Sequence, residues 1–228
     1  ADGKGAGTVR NVKNTLSGLC EFAADAGAIK SNPCQGVKTP KPPADEMRFL
    51  TAEEVAGLAD AIDQRWRTLV IFAAYAGLRA GEISALRVGR LDLMRGKVHV
   101  VESAAEVHGR LVIGPTKTYE NRTVSLPPFL RDMLAEHLSS RADDPDSFVF
   151  QSPEGGQIRH SSWSRRFFAP ATREAGLDGF RFHDLRHTCA ALLISLGAHP
   201  QAIMERLGNS LITVCRDRCG HLFPSLDE

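Results

Sequence analysis

The run Lys38-Thr39-Pro40-Lys41-Pro42-Pro43 places three of the chain's twelve prolines within six residues. Each proline fixes φ, removes a backbone donor and pushes the residue before it out of helical space, so the run favours an extended polyproline path. Helices and central strands must therefore lie on either side of it. The spacing predicts two parts: residues 1–43, a short helical segment with its linker, and residues 44–228, long enough to bury a core. In the first part Val12, Leu16, Leu19 and Phe22-Ala23 recur at helical spacing over Thr8 to Ala28, and Gly27 is placed to end that helix.

The second part opens on Thr51 with Glu54 three residues on, a capping box that predicts a helix through Ala61. Further helices are predicted from Arg65 to Ala76, ended by Gly77, and from there through a short helix to Leu86. The character then changes. Val98-His99-Val100-Val101, Leu111-Val112-Ile113 and Arg122-Thr123-Val124-Ser125-Leu126 are β-rich runs bounded by Gly and Pro, which predict an antiparallel sheet of about three strands. Helices resume over Pro128–Leu138, Ser162–Ala175, from His183 to Leu196, from Pro200 to Gly208, and from Ser210 to Cys219. The fold class is α+β, a mostly helical body with one small antiparallel sheet.

Composition excludes several classes. The formal charge is +1, so no diffuse basic coat offers itself to nucleic acid. Between Gly156 and Phe223, however, stand nine Arg, five acids and no Lys, a bias suited to fixed, bidentate phosphate contacts. Five cysteines, an odd number without paired spacing, argue for a reducing compartment. The polar start Ala1-Asp2-Gly3-Lys4-Gly5 has no secretion-signal pattern, and no apolar run is long enough for a membrane span. A cytoplasmic protein is expected. The missing initiator methionine points to a processed chain or a fragment.

Cutting a phosphodiester without a metal requires cations fixed on the non-bridging oxygens, a proton donor for the leaving oxygen, and a nucleophile. Arg79 follows a helix-breaking glycine in Gly77-Leu78-Arg79-Ala80-Gly81-Glu82, and Glu82, three residues on, is placed to pin its guanidinium. Arg186 lies three residues after His183 in His183-Asp184-Leu185-Arg186-His187-Thr188, so both share a helical face. Lys117 sits between two β runs, from where a long side chain can reach into a site. Each motif alone is weak; their order and separation are specific.

Together with Leu207-Gly208-Asn209-Ser210 and Arg218-Cys219-Gly220-His221-Leu222-Phe223, these motifs resemble the tyrosine recombinase (phage integrase) family over essentially everything after the linker. The resemblance implies a helical catalytic domain preceded by part of a helical core-binding domain, here residues 1–43, with the front of that domain absent. It implies that Arg79 and Arg186 clamp phosphate, Glu82 supports Arg79, Lys117 is the general acid and His183 assists proton transfer. It further implies double-stranded DNA as partner and several protomers acting together on paired DNA sites, as in phage and prophage integration. Members of that family cut strands through a covalent 3′-phosphotyrosine link and rejoin them, which implies no metal, cofactor, small-molecule substrate or membrane.

Two positions depart from the family pattern. Cys219 stands where the tyrosine nucleophile belongs, and Asn209 where a histidine or tryptophan does. The chain's two tyrosines are no substitute, because Tyr75 lies in an apolar helix run and Tyr119 beside Lys117. Cysteine is far shorter than tyrosine, and asparagine cannot carry charge near neutral pH. A DNA-binding protein with impaired strand cleavage is expected. Other readings are an active recombinase using Cys219 or an external nucleophile, and a regulator that only holds DNA. A zinc hydrolase would rest on His183 and His187 with His160 or His221, but lacks the glutamate after the first histidine.

Overall fold

The computed structural model describes residues 5–40, 48–116, 121–139 and 144–208. The chain divides into two compact units, Ala1–Glu46 and Met47–Glu228. The first is built on α1 (Ala6–Asp25), after which Gly27 takes the left-handed φ of +72°. The loop after α1 is pinned by Asn32, whose Nδ2 donates to the Ser17 carbonyl, the Ser17 hydroxyl and the Glu21 carboxylate at 2.8–3.0 Å. Its Oδ1 accepts from the Cys34 amide at 2.9 Å, closing an Asx turn. The apolar stripe predicted for α1 is present but exposed: Leu16 is 49% and Phe22 72% accessible.

In the second unit α2 (Ala52–Ala61) begins on the predicted capping box, with Thr51 and Glu54 exchanging hydrogen bonds at 3.0 and 3.2 Å. The next helix, α3 (Gln64–Ala76), runs through the middle of the core. Trp66, Leu69, Val70, Ile71, Phe72, Ala73, Ala74 and Ala76 are all buried, the all-round burial of a helix enclosed by others. Each of the large ones contributes about 2–3 kcal/mol by leaving water. Gly77 caps α3 in the left-handed conformation, and α4 (Ala80–Ala85) starts three residues later.

The β region differs from the single meander expected. A three-stranded antiparallel sheet has the order β1 (Leu91–Asp92), β2 (Lys97–Val100), β5 (Arg122–Ser125). Val98 and Val100 point inward with Val124, while Lys97 and His99 pair outward with Ser125 and Thr123. The expected strand around Leu111–Ile113 belongs instead to a separate two-stranded ribbon, β3 (Glu102–Val107) with β4 (Arg110–Pro115). Its two-residue turn has His108 at φ 49° and Gly109 at φ 73°, the positive pair that matches strand twist in tight hairpins. Arg159 donates to the Gly109 carbonyl at 2.6 Å and Ser161 to Glu106 at 2.6 Å, holding the ribbon's tip.

After α5 (Pro128–Ser139), the helix expected over 162–175 runs as α6 (His160–Trp163), a π turn (Ser164–Phe168) and α7 (Ala169–Glu174). Trp66, Trp163, Phe168 and Phe182 stack beneath it with centroids 5.2–5.8 Å apart. Then come α8 (Asp184–Ser195) and α9 (Pro200–Leu207). Cys189, Ala190, Ile194, Ile203 and Leu207 form their own small cluster. No helix among the described residues is long and apolar enough to cross a membrane.

Candidate active site

The site grows from the end of α3. Gly77 turns the chain at φ +68°, and a Cβ there would lie 2.5 Å from Leu207 Cδ2 and 2.9 Å from Cys189 Sγ. Leu78 is buried behind the turn, and Arg79, the N-cap of α4, keeps a partly buried side chain, 16% exposed. Glu82, third in that helix, reaches back: its Oε2 accepts the Arg79 amide at 2.7 Å and its Oε1 accepts Arg79 Nη1 at 2.9 Å. The predicted pinning of Arg79 by Glu82 is thus present as a partly buried ion pair.

A second guanidinium shares the same carboxylate. Arg122, the first residue of β5, donates Nη1 to Glu82 Oε1 at 2.8 Å and Nη2 to Oε2 at 2.7 Å, a bidentate fork. Glu82 therefore accepts four donors, two on each oxygen, although its side chain is 0% exposed. Burial alone would raise this carboxyl; the hydrogen bonds and charge of Arg122, then those of Arg79, outweigh it and hold the carboxyl below its ordinary value.

Arg122 also donates Nε to the Arg206 carbonyl at 3.0 Å, and Arg206 donates Nη2 to the Tyr75 carbonyl at 2.7 Å. Arg186, 1% exposed, donates Nη1 to the Gly77 carbonyl at 2.5 Å and Nη2 to the Leu207 carbonyl. Its Nε is buried and has no hydrogen-bond partner among the described residues. The ends of α3 and α9 are thereby joined by arginine donors to helix C-terminal carbonyls. Burial, then the neighbouring Arg79, pushes the Arg186 guanidinium down to about 9, so it stays charged at neutral pH. Arg79, Arg122 and Arg186 against Glu82 leave the cluster with two net positive charges. Gly208 closes it: a Cβ there would be 3.8 Å from both Arg79 Nη1 and Arg122 Nη1.

His183 precedes α8 and is exposed. Partial desolvation, then Arg186, lowers its imidazole below the usual value. Its ring meets that of His187 edge-on at 5.1 Å. His187 is buried, with no partner for Nδ1 among the described residues, and burial, then His183, pushes it down to about 4. Among the described residues no three His, Cys, Asp or Glu side chains gather so as to hold a metal ion; His160 stacks on Phe182 at 5.1 Å.

Residues 48–216 match the model of the Phage integrase family. The chain belongs to the phage integrase, or tyrosine recombinase, family. It is 28% identical over 209 residues to the integrase of Mycobacterium phage D29, a match covering 88% of this chain and 55% of that protein. It spans 55–62% of the length of the first such relatives. Its fold is that of the Tn1549 transposon integrase solved with a circular intermediate DNA: TM-score 0.82, 18% identity, 97% of this chain and 76% of the other. A lambda integrase dimer bound to a core site matches with a TM-score of 0.64 at 20% identity, over 90% of this chain and 72% of that one.

In this tyrosine recombinase fold Arg79, Glu82 and Arg186 come together, and His183 lies near enough for the charges of Arg186 and Arg79 to lower its imidazole. Lys117, Asn209 and Cys219 lie outside the described residues, as do Tyr119 and His221. Sequence reasoning missed Arg122 and Arg206. Arg122 looked like the start of a β run, and its partner Glu82 is 40 residues away. The available signal was a long cation opening a strand whose alternate residue, Val124, is buried.

Proposed function

We propose that this chain binds double-stranded DNA through the Arg79–Arg122–Arg186 cluster and has an impaired form of the strand cleavage and rejoining of tyrosine recombinases. The observation that carries the reading is the pairing of two guanidiniums, Arg79 and Arg122, on one buried carboxylate, with Arg186 fixed nearby by the Gly77 and Leu207 carbonyls. Such a group is fixed in place, positively charged and suited to the extra negative charge of a pentavalent phosphate. Arg79 and Arg186 take the phosphate oxygens, Glu82 holds Arg79, His183 assists proton transfer, and Lys117 protonates the leaving oxygen. Asn209 donates a hydrogen bond to the phosphate. Cys219 occupies the nucleophile's place without the nucleophile's reach. No metal or cofactor is part of this chemistry. Residues 1–43 act as part of a core-binding domain and 44–228 as the catalytic domain. The protein works in the cytoplasm, with protomers on paired DNA sites, a reading supported by the lambda integrase dimer on its core site.

The test is a cleavage assay on nicked suicide duplexes carrying the sequence that this chain selects from a randomised pool. The expected result is no covalent adduct with the unaltered chain and a protease-sensitive adduct with Cys219→Tyr. An adduct that survives in the unaltered chain and disappears in Cys219→Ser supports the second reading, in which the thiol itself attacks phosphorus.

A further inference from the structure

Glu82 presents a problem that the phosphate clamp alone does not solve. A carboxylate with no exposed surface, paired with Arg79 only, would neutralise the cation that phosphate needs. The structure contains the remedy. Arg122 meets both carboxylate oxygens at 2.8 and 2.7 Å, while the Arg79 side chain meets only Oε1, with one N–H, at 2.9 Å. Arg122 is also the more buried of the two, 9% exposed against 16%. Its third donor, Nε, is engaged by the Arg206 carbonyl at 3.0 Å, so the guanidinium is held from both ends.

We propose that Arg122 is a positioning residue: it neutralises Glu82 so that the carboxylate orients Arg79 without cancelling its charge. Two cations on one anion leave this trio with one net positive charge. The same bond to the Arg206 carbonyl ties this charge balance to the end of α9, next to Gly208, which lies against both guanidiniums. A fork is needed for this. A lysine at the position would supply the charge at a single point and leave one carboxylate oxygen to draw Arg79 inward.

This inference rests on the phosphate-binding reading of the cluster, and the experiment separates the two. Binding of the full chain to a mixed-sequence duplex is measured across a salt series, with thermal unfolding in parallel. Arg122→Gln is expected to lower affinity about tenfold and the steepness of the salt dependence by about one contact, as Arg79→Gln does. Arg122→Lys is expected to fall between Arg122→Gln and the unaltered chain. The double variant Glu82→Gln with Arg122→Gln restores the trio's net charge and is expected to regain the unaltered affinity and slope. It also removes the unpaired buried charge, so it provides a folded comparison even where Arg122→Gln alone does not fold.

A double variant that binds as weakly as Arg79→Gln overturns the inference, because Arg122 would then be contacting phosphate itself. If Arg79→Gln weakens binding while folded Arg122→Gln does not, the inference falls and the phosphate reading stands. If neither substitution changes binding, both fall.

Discussion

Gly77 and Leu207 touch so closely that a single added methyl group would overlap: a Cβ on Gly77 would stand 2.5 Å from Leu207 Cδ2. The contact joins the end of α3, where Arg79 is launched, to the end of α9, whose last carbonyl accepts from Arg186. Gly77→Ala meets two penalties here, a left-handed φ of +68° and overpacking against Leu207 and Cys189. Together they are expected to cost about 2–4 kcal/mol. Urea unfolding checks this; a variant within 0.5 kcal/mol of the unaltered chain, about the scatter of neutral surface changes, would contradict it.

Glu82 should matter more for stability than any exposed ion pair. Glu82→Ala leaves Arg122 and Arg186 as buried, like-charged neighbours and is expected to cost about 3–5 kcal/mol. The pH dependence has a definite sign. Because the folded carboxyl lies below its ordinary value, its contribution is present above the unfolded carboxyl's range near 4.3 and is lost as pH falls through the folded value. Unfolding midpoints of Glu82→Gln should therefore fall less steeply than those of the unaltered chain in that acid window. Equal slopes would remove Glu82 from the account.

Local signals were legible, and long-range ones were not. The Thr51–Glu54 capping box, the apolar helix 64–76 and its terminating Gly77 all follow from adjacent residues, and so does the Arg79–Glu82 pair at i, i+3. The ribbon is not legible because Ser103-Ala104-Ala105 carries no β-branched or aromatic residue, and its partner strand is equally suited to join the sheet. Arg186 stands out in the sequence as a candidate site residue, but its partners are the carbonyls of Gly77 and Leu207, main-chain atoms that no side-chain pattern reveals. Arg122 escaped for a related reason, since sequence spacing does not show which buried carboxylate a strand residue will meet.

His187 predicts a second, separate pH window. Its folded imidazole lies at about 4, driven down by burial and then by His183, whereas in the unfolded chain it titrates near 6.5. The unfolded state binds the extra proton between these values, so stability is full above about 6.5 and declines as pH falls toward 4, by roughly 3 kcal/mol in all. His187→Gln should flatten the stability profile between pH 6.5 and 4.5. Chemical-shift titration of the His187 ring provides the direct check: an inflection near 6.5 would show that the imidazole is not held neutral.

Cys219→Tyr and Asn209→His test the two departures read from the sequence. A cysteine at 219 is several bond lengths shorter than tyrosine, and misplacement on that scale is costly before reactivity is considered. Thiolate is also a soft nucleophile facing a hard phosphorus centre. Cys219→Tyr should therefore restore a covalent adduct on a nicked suicide duplex. Asn209→His adds a donor that can also carry charge in the transition state, but on the proposed reading it has nothing to act on without a tyrosine at 219. Groups that work as a unit are non-additive. Asn209→His alone should give no adduct, Cys219→Tyr alone a slow one, and the pair a rate about tenfold or more above Cys219→Tyr, within the range for one transition-state hydrogen-bond donor. Single-turnover adduct formation on gels measures all four proteins side by side. Equal rates for Cys219→Tyr with and without Asn209→His would mean that asparagine already supplies what the phosphate requires there, leaving Cys219 as the one change that impairs cleavage.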